Sequence, residues 1–490
     1  MVLQRELAPA RLGVPGEHQP SHVCDSGFIV LVSSVPGGNP QGGGSQCYTT
    51  EAVIAPPAAG LPPRRRDGSL GSSGGLGRAR PASAPGRCRA APAQEQRRKA
   101  MRPNWHVRRG TTTGLLALVA AAALWTCAAP RDAQLPPEWH PALSAFAATV
   151  AADVESDSVG GMTVGLARDG EVLWTGAFGW ADPEAGIPAR RETIYRTGSI
   201  SKSFTAVLMA ILVDNGVVTL DQPLESLVPE IAELQERPPG ASPGLRQVAS
   251  HTAGFAREPG LPGAASGPIE TWTARILESI PTTRYRTPPG TEYSYSNIGF
   301  GILGFAMERA AGEPFMDQVE ARIFEPLGME SSTFIVGQSL LPMLSRGHAN
   351  NADGDVNTER PALEHAGRGY KVPNGGVYST VDDLAAFAAG VMGRGGASLL
   401  SEQLRAEVLG VQTPEDPDSG YGLGFSITTV DGRVFSGHGG SVSGYTAHLL
   451  FEPATGLTVV LLRNYNRGRT NLGRAARELL AGLSVDQEPG

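Results

Sequence analysis

The decapeptide TGSISKSFTA, residues 197–206, holds five hydroxyl side chains and one lysine. A serine hydroxyl becomes a nucleophile when a neighbouring base removes its proton, and an amine able to be neutral near pH 7 is such a base. Phe204, Val207, Leu208, Ile211 and Leu212 recur at helical spacing and Asn215-Gly216 is a stop signal, so a helix is predicted to begin near Ser199. Three residues apart, Ser199 and Lys202 share a face of that helix, with β-carbons about 5–6 Å apart. Ser201 and Ser203 point elsewhere. Ser199 would also sit at the positive end of the helix dipole, where a developing oxyanion is stabilised. The alternative is a helix cap beside a solvated surface lysine. Residue usage speaks against it: from residue 131 onward there are 24 arginines and only two lysines, Lys202 and Lys371. Arginine serves wherever a fixed positive charge suffices, whereas lysine can give up its proton.

Two later stretches add Tyr295-Ser296-Asn297, in "YSYSNIGFGILG", and His438-Gly439-Gly440, in "FSGHGGSVSGY". Ser-x-x-Lys at the head of a helix resembles the first signature of the serine β-lactamases and penicillin-binding proteins. Followed in order by Tyr-x-Asn and His-x-Gly, it is similar to the class C branch, as are "SHTAGF" (250–255), "IFEPLGM" (323–329) and "GGVYSTVDDLAAF" (375–387). The resemblance spans residues 140–482. It implies an acyl-enzyme at Ser199, with Lys202 as base or Tyr295 as a phenolate stabilised by Lys202. It further implies that Asn297, His438 and Gly440 bind substrate and that the backbone N–H groups of Ser199 and Ser441 form the oxyanion hole; a cationic His438 nearby, or an apolar cleft, would keep Lys202 neutral. No cofactor is implied, and His251, His438 and His448 are too scattered in sequence to suggest a metal site. One departure bears on substrate: the branch is expected to carry Lys-Thr-Gly as its third motif, and here His438 and Gly439 replace the cation and the hydroxyl that hold a substrate carboxylate. An esterase or D-amino-acid peptidase is therefore expected ahead of a DD-carboxypeptidase, β-lactamase or penicillin-binding protein. A catalytically inactive binding or scaffold protein of the same fold is the rival from another class.

Such a site needs elements to position it. Leu143, Phe146, Val150 and Val154 recur at helical spacing, and "MTVGLAR" and "EVLWTGAFGW" flank Asp169-Gly170, a two-residue hairpin signal. From Ser199 to Leu400 the pattern is mostly helical, broken by Pro/Gly loops. Strand patterns return in "YGLGFSITTV", "RVFSGH", "YTAHLLF" and "LTVVLLRN", with Asp431-Gly432 between the first two, before a closing helix at 471–483. The predicted fold is α/β of the α+β type. An antiparallel sheet lobe (139–198 and 420–484) is flanked by N- and C-terminal helices and faces a mostly helical second lobe (199–419), with the site in the cleft between them.

Charge is split along the 490 residues. Up to residue 130 there are fifteen Lys and Arg against six acids; beyond it there are 26 against 42. An acidic body excludes a nucleic-acid partner, which needs clustered positive charge, and leaves a small-molecule ester, peptide or β-lactam substrate. Residues 1–100, rich in Gly, Pro, Ala and Arg, are expected to be disordered and to belong to an over-extended gene start. Residues 101–128 have the basic start, the apolar run Leu115–Trp125 and the small residues of a secretory signal peptide, with 129–138 as a linker. An exported, periplasmic or extracellular protein is expected, attached to a membrane only if Cys127 is lipidated. The four cysteines, Cys24, Cys47, Cys88 and Cys127, all precede the body, which has no thiol chemistry.

Overall fold

Two Asp-Gly pairs set the sheet. In the computed structural model, which describes residues 135–483 apart from 397, 417 and 418, Asp169 and Gly170 have φ of 50° and 86°, and Asp431 and Gly432 have 51° and 77°. Both pairs thus take the double left-handed turn whose twist matches that of the strands it joins. The first closes β1 (Gly161–Arg168) on β2 (Glu171–Asp182), beyond which lies the short edge strand β3 (Ile187–Pro188). The remaining strands are β4 (Thr413–Asp416), β5 (Ser419–Tyr421), β6 (Ser426–Val430), β7 (Arg433–Val442), β8 (Tyr445–Glu452) and β9 (Leu457–Arg463). Together they form one antiparallel sheet in the order β3-β2-β1-β9-β8-β7-β6-β5-β4, in which β1 from the start of the body pairs with β9 from its end. The signal-peptide reading, the four cysteines and residues 1–134 lie outside the described residues.

Alternation along the strands gives the sheet two apolar faces. Met162, Val164 and Leu166 of β1 and Leu457, Val459 and Leu461 of β9 pack with α1 (His140–Asp157) and the closing helix α5 (Leu472–Gly482). Leu135 and Trp139 are buried in the same layer, so the stretch expected to be a linker already contributes to the core at Leu135. The opposite face, with Leu449, Phe451, Val460 and Leu462, joins the larger core around α2 (Ser201–Asp214), α3 (Asn297–Ala311) and α4 (Val381–Met392). Helix α4 lies directly on β1 and β9, although its sequence position had suggested the helical lobe. It is apolar on nearly every side and can be buried only as a layer over the sheet. The fold is therefore the expected sheet with terminal helices, with a third, helical layer on its inner face. Among the described residues no helix is long and apolar enough to cross a membrane.

At the far end of α1, Asp157 accepts a hydrogen bond from Arg463 Nη2 of β9 (2.6 Å) and one from the Arg469 backbone N–H (3.0 Å). Both side chains of this ion pair are buried. Breaking such a pair leaves an uncompensated buried charge, which costs about 3–5 kcal/mol. Asp157→Ala is expected to lower the unfolding free energy by that amount in denaturant titration. A loss below about 1 kcal/mol, the scale of an exposed pair, would show that α1 docks without it.

Candidate active site

Ser199 stands on a single 3-10 turn, Gly198–Ile200, that leads into α2, one turn ahead of where the α-helix proper begins. Every residue of α2 from Ser201 to Leu212 is buried, so it is a central helix rather than the amphipathic one its apolar stripe suggests. The three serines separate as expected. Ser201 Oγ accepts from the Val377 N–H (3.1 Å), Ser203 Oγ donates to the Gly424 carbonyl (2.7 Å), and Ser199 Oγ lies 3.1 Å from Lys202 Nζ.

Lys202 is wholly buried. Its Nζ also donates to Asn297 Oδ1 (2.7 Å) and to the Asn374 carbonyl (3.2 Å). A neutral amine has two protons for these two acceptors and one lone pair left to face the Ser199 hydroxyl. The electrostatics favour that state. Burial, followed by the charges of Lys371, Arg257 and Arg368, holds the Lys202 ammonium well below its ordinary range, and Glu258 opposes them.

Tyr295 and Asn297 are presented by the start of α3. Ser296 caps that helix, accepting from the Gly299 N–H (2.9 Å), and donates its hydroxyl to the Ala256 carbonyl (2.8 Å). The Ser296 N–H donates to His251 Nδ1 (3.1 Å), and the Asn297 N–H to the Arg257 carbonyl (2.8 Å). The Tyr-Ser-Asn segment is thereby fastened to residues 251–257. His251 is held neutral chiefly by burial, takes a left-handed backbone (φ 62°) and packs its ring 4.2 Å from that of Tyr295. The Tyr295 hydroxyl hydrogen-bonds with Ser199, and burial pushes its pKa up to about 12. Burial thus favours the protonated phenol over the phenolate at Tyr295.

Of the two ways considered to keep Lys202 neutral, a cationic His438 is not the one found. Its Nε2 meets the Tyr421 hydroxyl (3.0 Å), its Nδ1 meets the Gly439 carbonyl (2.6 Å), and burial pushes its pKa down to about 3. It is a neutral histidine at physiological pH and no cation for Lys202 or for a substrate. Strand β7 pairs with β6 only as far as Gly437, so residues 438–442 turn a free edge toward the nucleophile's turn. Two glycines permit the approach. A Cβ on Gly440 would collide with the Thr197 carbonyl oxygen, and one on Gly198 (φ 56°) would stand 2.7 Å from the Ser441 nitrogen. Ser199, Gly440 and Ser441 thus meet backbone to backbone. They line one cleft of about 580 Å³ with Tyr295, His438 and Arg257. Among the described residues no group of three His, Cys, Asp or Glu is placed to hold a metal ion.

The profile of the beta-lactamase family matches residues 146–483, more than half of the sequence. The chain belongs to the beta-lactamase family. Within it, the sequence is 26% identical over 335 residues to a D-aminopeptidase of Gluconobacter oxydans, a match covering 67% of this chain and 60% of that protein. It is 27% identical over 313 residues to penicillin-binding protein 4 of Amycolatopsis lactamdurans, covering 62% and 81%. The fold is also that of the octameric penicillin-binding protein homologue from Pyrococcus abyssi, with a TM-score of 0.59, 24% identity and coverage of 69% and 76%.

The structure gathers Ser199, Lys202, Tyr295, Asn297, His438, Gly440 and Ser441 at one cleft, and it adds residues that sequence reasoning passed over. Asn374, one position before the quoted "GGVYST", supplies a carbonyl to Lys202 and an amide to the Asn297 carbonyl (2.9 Å). Glu258 accepts from Asn297 Nδ2 (2.6 Å) and from the Tyr370 hydroxyl, and pairs with Lys371 (3.3 Å). The two lysines of the body are thus joined through Asn297 and Glu258, and the rarity of lysine was the one signal that pointed to Lys371. An amine accepts a proton only when neutral, so Ser199 modification assisted by Lys202 is expected to rise with pH through the pKa of Lys202. Glu258→Gln removes a charge that raises that pKa and is expected to move the rise to lower pH. Lys371→Gln removes a charge that lowers it and is expected to move the rise to higher pH. The pH dependence of Ser199 labelling by a neutral fluorophosphonate measures both; shifts of the same sign would mean that another group titrates.

Proposed function

We propose that this member of the beta-lactamase family is a serine hydrolase that works through an acyl-enzyme on esters or on amides of D-amino acids. The observation that carries the reading is the buried Lys202 amine, 3.1 Å from Ser199 Oγ and satisfied at two other acceptors. In this mechanism the amine takes the Ser199 proton as Oγ attacks the substrate carbonyl. The oxyanion that forms is met by the Ser199 and Ser441 N–H groups, and each such donor lowers the barrier by about 3 kcal/mol. Collapse expels the leaving group, which takes a proton from the Tyr295 hydroxyl, and Lys202 reprotonates the tyrosine. Water then reverses the sequence and frees Ser199. Asn297 holds Lys202 in place through Oδ1, and Gly440 lets the strand edge reach the substrate. The relatives named as a D-aminopeptidase and a penicillin-binding protein support an acyl substrate of this class. With His438 neutral and Gly439 without a hydroxyl, β7 itself offers no charged group to a substrate carboxylate.

Export through residues 101–128 is part of the reading. Mature protein from the native host is expected to begin near Ala129 or at a lipidated Cys127, as read by N-terminal sequencing and intact mass; recovery of residues 1–100 on exported protein would exclude it.

The assignment of base and proton donor makes a distinct kinetic prediction. p-Nitrophenolate leaves without a proton, whereas the amine of a D-alanyl amide needs one. Lys202→Met, which fills the same buried space without an amine, is expected to lower turnover of p-nitrophenyl butyrate and D-alanine p-nitroanilide alike, by at least about a hundredfold. Tyr295→Phe is expected to lower the anilide rate by about that factor and the ester rate far less. Equal losses on both substrates in Tyr295→Phe would make the tyrosine the base; full ester turnover by Lys202→Met would end the catalytic reading of this site.

A further inference from the structure

The groups that line the cleft are almost all uncharged. Ser199, Tyr295, Gly440 and Ser441 carry no charge, and the lining histidines His438 and His448 are pushed down by burial to about 3 and about 4. Among the described lining residues Arg257 alone is a cation and no acid faces it from the cleft wall. We propose that Arg257 selects substrates that carry a carboxylate, supplying from the 251–257 segment the anion contact that His438 and Gly439 do not. The inference rests on the hydrolase reading above and adds the charge of its substrate.

Geometry supports the assignment in three ways. Arg257 is fixed at its backbone, whose carbonyl accepts from the N–H groups of Asn297 (2.8 Å) and Ile298 (3.3 Å) at the start of α3. Its guanidinium lies 4.8 Å over the Tyr295 ring, with Lys202 Nζ also 4.8 Å from that ring, so one side chain, Tyr295, touches both the guanidinium and Ser199. Its charge is not spent elsewhere. The side chain is 63% exposed, and its acidic neighbour Glu258 approaches only to 4.0 Å while engaged by Asn297, Tyr370 and Lys371. A planar guanidinium open to solvent beside a nucleophile suits a carboxylate, which it can bind with two parallel hydrogen bonds.

Arg257 also lowers the Lys202 pKa, so its loss would alter every substrate through the base. A ratio of matched substrates removes that effect, because both members share Ser199 and Lys202. Mono-p-nitrophenyl adipate against p-nitrophenyl hexanoate places the carboxylate on the acyl side; 4-acetoxybenzoate against 4-acetoxybenzamide places it on the leaving side. The unmodified protein is expected to prefer the anionic member of at least one pair by roughly ten- to a hundredfold in kcat/KM, the range for a hydrogen bond to a charged group. That preference should shrink in high salt, vanish in Arg257→Gln and be kept in part by Arg257→Lys, which retains charge without the fork. An absent preference in both pairs, or a ratio unchanged in Arg257→Gln, overturns the inference while leaving the hydrolase reading intact. Failure of the unmodified protein to cleave any of the four esters removes that reading, and this one with it.

Discussion

A lysine amine held out of water beside a serine hydroxyl is the constraint around which this molecule is arranged. Burying an ammonium is costly, and a protein answers that cost by giving the group partners or by letting it lose its proton. Lys202 meets both conditions. Its two acceptors come from segments far away in sequence, Asn297 at the head of α3 and the carbonyl of Asn374. Neither would stand there unless α3 and the 372–377 segment packed against α2, which explains why α2 is buried on all sides. The apolar core and the polar site are consequently one construction: the helices that bury α2 are also the ones that satisfy Lys202.

The charges around the amine follow from the same requirement. Lys371, Arg257 and Arg368 each push Lys202 toward the neutral amine, and Glu258 is the acid that opposes them. Glu258 does not touch Lys202; it holds the Asn297 amide group, which fixes the opposite end of that amide, Oδ1, on the lysine. The Tyr295 ring lies 4.8 Å from both Lys202 Nζ and the Arg257 guanidinium, and its hydroxyl is on Ser199. Burial keeps its proton on, and the hydrogen bond to Ser199 only partly offsets that effect. One environment acts on both groups, since burial drives an amine and a phenol toward their neutral forms from opposite sides.

Sequence exposed the parts of this arrangement that are encoded locally. Ser199 and Lys202 lie one helical turn apart, the hairpin turns are Asp-Gly pairs in the left-handed region, and the β1–β9 closure follows from two apolar runs at the ends of the body. The protonation states were hidden because they depend on burial by residues distant in the chain: His438 reads as a cation in a motif and becomes neutral only under Tyr421 and the sheet. Arg257, Glu258, Tyr370 and Asn374 were hidden for a related reason. Arg257 and Glu258 sit on a loop and Tyr370 and Asn374 in two single-turn helices, and their side chains converge only once α2 and α3 are packed; elements so short carry no periodicity by which to single them out. Helix α4 was misplaced because an apolar helix between two helical segments gives no hint of which layer it covers.

The close approach of β7 to the nucleophile's turn has a consequence for recognition. Gly440 can bear no side chain without striking the Thr197 carbonyl, and Gly198 none without meeting the Ser441 nitrogen. The strand therefore presents mainly backbone to a bound substrate, and backbone N–H and C=O groups orient an acyl group without reading what is attached to it. The His438 side chain beside it is already engaged by Tyr421 and Gly439. In the proposed reading, discrimination between substrates falls to the part of the cleft built on the 251–257 segment and the start of α3, which carries Tyr295 and Arg257. That part is anchored at its backbone by Ser296, His251 and Asn297. Arg257, which projects from it into the cleft, is tied to the lysine only through its charge and the Tyr295 ring they share.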